Sequence, residues 1–139
     1  MFSLFNSSLS VEKIKELINN GENVNSTDKY GSSPLHHQYR EDNVKALIEA
    51  GAEVYAVNID LQTPLHWPKD EGATRLLIKH GADINAFSMM GELPIYCQDD
   101  KGSIKALIES GVKINLDVIN PSLHRTILDI YDEVKSEKR

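Results

Sequence analysis

A 30-residue repeat is the feature that most constrains what this chain can fold into. Four glycines recur at intervals of 30 residues: Gly21, Gly51, Gly81 and Gly111. The segments around them recur as well, as ELINNGENVN, ALIEAGAEVY, LLIKHGADIN and ALIESGVKIN. The prolines of SPLHH, TPLHW and LPIYC keep the same spacing. Self-similarity at this period predicts a solenoid, in which each unit buries its apolar face against its neighbours.

We expect one domain over residues 1–139, because a chain of this length, 40% hydrophobic, suffices for one continuous core. Its parts are a capping repeat at 1–30, full repeats at 31–60, 61–90 and 91–120, and a capping helix at 121–139.

Each repeat reads as two helices and a hairpin. The second helix shows one apolar stripe per copy, formed by Val44, Leu47 and Ile48, by Leu77 and Ile78, and by Ile104, Leu107 and Ile108. The repeated glycine follows this helix, where a left-handed residue closes it without steric cost. The first helix opens at the repeated proline, and in the second copy it cannot continue through Pro68. The first helices are therefore predicted to be one to two turns long.

The sequence of the second copy resembles that of ankyrin repeats, which form a known protein family. The resemblance rests on Thr63, Pro64, Leu65 and His66, followed by Gly81, Ala82, Asp83 and Asn85. It extends from about Ile14 to Asn120 and implies an all-α repeat solenoid of helix-turn-helix units joined by hairpin loops. The period departs from the family's usual length of about 33 residues. We attribute the shorter copy to the truncated first helix or the turn after it.

The histidine of this signature has a structural interpretation. The resemblance implies that His66 hydrogen-bonds the backbone between neighbouring units. His36 holds the same place in the first copy, and Tyr96 replaces it in the third. A catalytic base would not be copied at regular spacing, so the pattern favours a tether.

Both ends carry the residues of capping segments. Asn120 is predicted to cap a final helix with Pro121 in its first position. The apolar side of that helix comprises Leu123, Ile127, Ile130, Tyr131 and Val134. Ser10 is predicted to cap the helix that carries Ile14, Leu17 and Ile18. The open edge of the first unit is expected to be covered by Phe2, Leu4 and Phe5.

Composition argues against several classes of function. A net charge of −6 disfavours nucleic-acid binding. The sequence contains no apolar run long enough to predict a membrane segment. A single cysteine, Cys97, excludes an internal disulfide and fits a reduced, cytoplasmic setting. No Cys or His pair has metal-ligand spacing, so we expect no metal and no cofactor. A cysteine-based or metal-dependent enzyme using His37, Cys97, Asp99 and Asp100 is the less favoured alternative.

The expected binding surface comes from the resemblance, which implies protein binding through the hairpin tips and the concave face. Two tips are apolar rather than polar, and they carry Val57, Ile59, Phe87, Met89 and Met90. Exposed apolar groups of this kind suit an interaction site. The alternative, left open for Val57 and Ile59 above all, is that these side chains fold inward between adjacent hairpins.

A second line of candidates follows the repeated histidine, at His37, Trp67 and Cys97, where the resemblance implies a groove-facing position. Tryptophan is enriched among binding anchors, which makes Trp67 the best single candidate. It could equally fill the volume lost with the shortened helix. Tyr30 and Tyr55 could extend the same surface.

The sequence therefore favours a non-enzymatic protein–protein interaction module, a monomer when free, with a protein partner of unknown identity. The abundance of Ile, Lys and Asn suggests an AT-rich, bacterial genome. In that setting an alternative is a toxin-neutralising (immunity-type) or effector protein.

Overall fold

The computed structural model describes residues 3–117, 119–122 and 124–138. Phe2 and Leu123, two of the predicted capping residues, lie outside the described residues. The helices are α1 (Val11–Asn19), α2 (Pro34–His37), α3 (Glu41–Glu49), α4 (Glu71–Lys79), α5 (Lys101–Glu109) and α6 (Arg125–Glu137). Two short 3₁₀ helices span Pro64–His66 and Pro94–Cys97. Within these described ranges the chain contains no strand.

The helices form two rows, as expected for an all-α repeat solenoid. In the outer row, α1, α3, α4, α5 and α6 each pack against the next. In the inner row, α2 packs on the 3₁₀ helix at 64–66, which packs on the one at 94–97. We call these three short elements the inner helices. Each has three or four residues, which confirms the predicted stubs.

The core runs between the rows and repeats with the sequence. Leu35, Leu65 and Ile95 point into it from the inner helices and are fully buried. The outer helices contribute the predicted stripe, in which Val44, Leu47, Leu77, Ile104, Leu107 and Ile108 are buried. Each such leucine contributes about 1.5–3 kcal/mol through burial. Because neighbouring repeats supply much of each side chain's surroundings, no repeat holds a core of its own.

Local signals place the ends of the outer helices. The glycine after each of α1, α3, α4 and α5 is left-handed, with φ between 90° and 98°. Side-chain oxygens of Ser10, Asp70 and Asp100 accept hydrogen bonds from backbone N–H groups in the first turns of α1, α4 and α5. The predicted cap at Ser10 is thus confirmed.

The first two inner helices are tethered to the next repeat by histidine. Nδ1 of His66 accepts from the Thr63 N–H at 3.0 Å, and its Nε2 lies 3.0 Å from Glu92 O and 3.1 Å from Ala86 O. His36 repeats this arrangement: its Nδ1 accepts from Ser33 N–H at 3.0 Å, and its Nε2 lies 2.8 Å from Gln62 O. Because Nδ1 accepts a backbone proton, the ring proton resides on Nε2, which donates to the carbonyl. The predicted tethers are present in both repeats.

These tethers require neutral imidazoles. Burial lowers the pKa of His36 to about 4, against the opposing hydrogen bond to Gln62 O. Burial also lowers the pKa of His66. A second proton would occupy Nδ1 and turn the acceptor of a buried N–H into a donor. The neutral tautomer is therefore part of the fold at neutral pH.

The C-terminal capping helix begins later than the sequence predicts. α6 starts at Arg125, preceded by His124, so Asn120 is not its cap and Pro121 is not its first residue. The Asn120 side-chain oxygen instead accepts from Ser122 N–H at 2.9 Å. An asparagine that bonds its own backbone two residues on stabilises a turn, and this local bond competes with helix formation. The apolar side of α6 is as predicted, with Ile127, Ile130 and Val134 buried.

At the N-terminus, the segment before α1 covers the first repeat. Leu4 is fully buried, and Phe5 is half-buried with its ring edge-on to His37 at a centroid distance of 5.5 Å. The Gln38 amide donates to Leu4 O at 2.8 Å and to Asn6 O at 2.9 Å. These bonds hold the predicted cover in place.

Replacing His66 with alanine should lower the free energy of unfolding by about 1–3 kcal/mol, because the Thr63 N–H and the carbonyl acceptors lose a buried partner. Urea denaturation measures this loss. The matched control is His80→Ala, since His80 is exposed, and we expect it to change stability by less than about 0.5 kcal/mol. Equal losses in the two variants would contradict the tether.

Stability should fall as the pH is lowered from 6.5 towards 4. In this window the unfolded chain takes up a proton that the folded His36 binds only near pH 4, so the unfolded state holds more protons. The separation of the two pKa values corresponds to a loss on the order of 3 kcal/mol. Urea midpoints measured from pH 7 to 4 test this. His80→Gln should retain the wild-type slope, and a flat wild-type profile would refute the assignment.

Candidate interaction surface

Three tight turns, which we call the tips, project between the repeats at residues 27–31, 57–61 and 87–91. Each is closed by a short polar side chain that accepts two backbone N–H groups of its own turn. Asp28 accepts from Tyr30 and Ser32, and Asn58 accepts from Asp60 and Gln62. Ser88 Oγ makes the same pair of bonds in the third tip. The sequence analysis missed these residues, although their 30-residue spacing was a usable signal.

The tips are joined to one another through their backbones. Ile59 N–H donates to Tyr30 O at 3.0 Å, and Met89 N–H donates to Asp60 O at 2.8 Å. These bonds align corresponding positions of successive tips in a continuous row. Side chains that leave adjacent tips on the same side are therefore neighbours.

The second and third tips expose the apolar side chains that the sequence singled out. Val57, Ile59, Phe87, Met89 and Met90 are between 53% and 83% exposed. The alternative in which they fold inward is not the arrangement found. Together with Leu61 they form what we call the apolar tip surface. Tyr30, in the first tip, is also exposed and borders it.

Leu61 is a member of this surface that the sequence analysis missed. Its φ is +56°, whereas the corresponding residues of the neighbouring tips are glycines, Gly31 and Gly91, with φ of 77° and 76°. A left-handed conformation costs an L-residue such as leucine about 1–2 kcal/mol. The side chain is 49% exposed, so burial offsets only part of that cost. The 30-residue alignment of a leucine with two glycines was the available signal.

Tyr55 occupies a position at which the neighbouring repeats have an asparagine that hydrogen-bonds the following repeat. The corresponding residue of the preceding repeat, Asn25, bridges to the next repeat through Gly51 O at 3.0 Å and Glu53 N at 3.0 Å. Asn85 makes a similar bond to Lys113 N at 2.8 Å. Tyr55 stands at this position in the first repeat and is exposed. It lies before the second tip rather than within it.

Trp67 is half-buried on the preceding repeat. Its ring meets His37 edge-on at a centroid distance of 4.8 Å and His36 at 5.9 Å. Its Nε1 donates to Gln62 Oε1 at 3.1 Å. The indole thus has packed and accessible parts, and it is held in place by His36, His37 and Gln62.

His37 lies beside Trp67 and is also half-buried. Its Nε2 is 2.9 Å from Asp28 Oδ2, the carboxylate that closes the first tip. Burial acts to raise the pKa of Asp28, but the hydrogen bonds from His37 and from the Tyr30 and Ser32 N–H groups outweigh it, so the pKa is lowered. This contact connects the first inner helix to the first tip.

The groups needed by the alternative enzyme are arranged for other tasks. Burial raises the pKa of the Cys97 thiol to about 11, so it is protonated at neutral pH and a poor nucleophile. Its Sγ lies 3.8 Å from Leu93 O. Asp100 caps α5 through Ser103 N–H, and Asp99 is exposed. Among the described residues, no three His, Cys, Asp or Glu side chains are gathered in a way that could hold a metal ion.

Comparison with known proteins identifies the architecture. A family model described as ankyrin repeats (3 copies) matches residues 3–88, more than half of the chain. No curated protein matches the sequence significantly. In the described part of the chain, no helix is both long and apolar enough to cross a bilayer.

Replacing Leu61 with glycine should raise the free energy of unfolding by about 0.5–1 kcal/mol, because relief of the left-handed strain exceeds the entropy that glycine adds to the unfolded chain. The matched control is Ile59→Gly in the same tip. Ile59 has no positive φ, so this change should lower stability by about 0.5–1 kcal/mol. Urea denaturation of both variants measures these changes. A lower free energy of unfolding in both variants would show that Leu61 is unstrained.

Proposed function

The chain belongs to the ankyrin repeat family, and from that premise we propose that it is a non-enzymatic module that binds a protein partner through its tips and concave face. Ankyrin repeats are generally protein–protein interaction modules. The finer assignment concerns this chain's own residues, namely the apolar tip surface with Trp67, His37, Tyr30 and Tyr55 beside it.

One observation carries the proposal: five predicted apolar side chains on two adjacent tips are more than half exposed. Scattered exposed apolar residues are ordinary, but a contiguous apolar patch on a monomer's surface marks an interaction site. The backbone bonds between Met89 and Asp60, and between Ile59 and Tyr30, support such contiguity. Phenylalanine and methionine are suited to the task because they are large and, in methionine, adaptable.

The rigidity of the tips favours binding. Each turn is closed by its own polar side chain, and successive tips are bonded to one another. A preorganised loop loses little conformational entropy when a partner docks. Leu61 also supports binding at the tips. A strained and half-exposed leucine contributes little to stability, and its presence is best explained by contact with a partner.

The outer helices present a contrasting surface. Arg75 pairs with Glu71 at 3.2 Å and with Glu109 at 2.9 Å, and Lys45 and Lys79 are exposed. Exposed ion pairs of this kind contribute about 0–1 kcal/mol. We therefore assign the partner to the tips rather than to the outer helices. Residence in the cytoplasm and a bacterial source stay predictions from composition.

The test is a comparison of partner affinities by calorimetry, once a partner has been captured from the native extract. Phe87→Ala and Met90→Ala remove exposed side chains, and Trp67→Ala removes the half-buried indole. We expect the most important of these to weaken binding by about 2 kcal/mol or more, since desolvated anchors carry most of the energy of an interface. Lys79→Glu, on an outer helix, is the control and should change affinity by less than about 1 kcal/mol.

Trp67→Ala requires a further control because the indole packs on His36 and His37. Its circular dichroism and urea midpoint must show a folded protein before the affinity is interpreted. If Lys79→Glu abolishes binding while all three truncations leave it intact, the binding face lies on the outer helices and the assignment is wrong.

A further inference from the structure

The inner helices depend on side chains of the following segment for a second set of hydrogen bonds. Gln98 of the third repeat donates from its amide to Leu65 O at 2.6 Å and Trp67 O at 3.2 Å, both in the second repeat. Gln38 of the first repeat does the same for Leu4 O and Asn6 O of the capping repeat. A buried, uncharged amide thus links each of these two pairs of neighbours.

The junction between the first and second repeats is built differently. The residue of the second repeat that corresponds to Gln38 and Gln98 is Pro68, which has no donor. The next residue, Lys69, takes over the contact: its Nζ donates to His36 O, in the first repeat, at 3.0 Å. The same task is therefore performed here by an amine, the one donor of the three that can take up a proton.

Lys69 is deeply buried for a lysine. Only 2% of its surface is exposed, and within the described residues its Nζ makes the single hydrogen bond to His36 O. A charged ammonium group has three N–H donors, so a single carbonyl leaves two of them unpaired, whereas a neutral amine has two N–H donors and carries no charge to desolvate. The Lys69 backbone N–H also donates to Gln98 Oε1 at 3.0 Å. Three successive repeats therefore meet at this residue.

An open pocket lies beside the lysine. It is lined by Tyr39, Pro68, Lys69, Asp70, Asp99 and Asp100. Asp99 is exposed, and Asp70 and Asp100 are partly so, although both also cap helices. A charged ammonium group that left the interior would meet water and carboxylates there, which are better surroundings than one carbonyl.

We propose that Lys69 is a proton-operated latch between the first and second repeats. With a neutral amine the latch is closed on the His36 carbonyl. When the amine takes up a proton, the side chain leaves for the adjacent pocket and the junction loosens. The device goes beyond partner binding and does not depend on it.

The charges around Lys69 determine the direction of the effect. Burial lowers the pKa of Lys69 to about 7, and Asp70 alone acts in the opposite direction. The titratable groups that face it from the neighbouring elements are His36 of α2, Tyr39 after α2, Asp70 before α4, and Asp99 and Asp100 before α5. The open form binds the proton more tightly than the closed one. Opening must therefore increase as the pH falls from about 9 to 7, and level off below 7.

A direct test is an NMR titration of the wild-type protein labelled in its lysine side chains. The Lys69 resonances should titrate at a lower pH than those of the exposed lysine side chains, because burial in the closed form lowers the pKa of Lys69. Titration of Lys69 together with the other lysines would overturn the proposal. This measurement needs no variant and so cannot fail because a variant does not fold.

The second test is hydrogen exchange of the Asp70 N–H, which donates to Tyr39 O at 2.9 Å across the same junction. After correction for the intrinsic exchange rate, the opening constant of this N–H should increase about tenfold for each unit by which the pH is lowered between 8.5 and 7. Lys69→Met keeps the length of the side chain without a titrating group, and Lys69→Gln restores the amide found at the other junctions. Both should make the opening constant independent of pH in this range.

Lys79→Met is the matched control, because it removes an exposed lysine from α4 and should keep the wild-type slope. Cys97 and the histidines are present in all these proteins, so their titration cancels in the comparison. A wild-type slope that persists in both Lys69 variants would refute the latch, and a slope that disappears in both supports it.

Discussion

The inner helices are too short to satisfy their own peptide groups, and the rest of the structure depends on how neighbouring repeats supply the missing partners. A helix of three or four residues leaves nearly all of its N–H and C=O groups without an internal bond. These groups are buried beside Leu35, Leu65 and Ile95, where an unpaired group costs about 1–3 kcal/mol. His36 and His66 each close a turn through Nδ1 and bond the following segment through Nε2. Folding one repeat therefore requires the next.

The same requirement brings titratable groups into the interior. An imidazole can accept at one nitrogen and donate at the other only while it is neutral, and burial keeps His36 in that form. At the one junction where proline replaces glutamine, a lysine amine makes the interrepeat bond instead. At His36, His66 and Lys69 the nitrogen atoms that can bind a proton belong to side chains that also bond a neighbouring repeat.

Because the inner and outer rows hold the array together, the tips are free to vary. Their shape is maintained by Asp28, Asn58 and Ser88 and by the bonds between tips, all of which use backbone or short side chains. Leu61 shows the extent of this freedom, since it keeps a glycine-like conformation that a leucine adopts only with strain. Apolar residues can accumulate at such positions without disturbing the core.

The sequence by itself determined the features that are local or periodic. The 30-residue spacing predicted the solenoid, the apolar stripes and the glycine-terminated outer helices, since each follows from helical geometry or from one residue's backbone preference. Pro68 predicted the short inner helix, and the recurrence of His36 and His66 indicated a tether. The exposure of Phe87 and Met90 was also expected, because the resemblance places both residues in hairpin tips. Whether these side chains bind a partner stays a prediction.

Only the tertiary structure decided the features that depend on which atoms of another repeat come close. Asn120 carries a good capping side chain, yet it bonds its own turn and α6 begins at Arg125. Trp67 could have faced solvent or the interior, and its contacts with His36 and His37 place it between the two. Nothing in the sequence distinguishes Lys69, which precedes the α4 cap Asp70, from an ordinary surface lysine. Pro68 offers no donor, so the buried carbonyl of His36, 33 residues before Lys69 in the chain, needs a donor from elsewhere in the packed repeats. The Lys69 amine supplies it, and this bond holds the side chain in the interior.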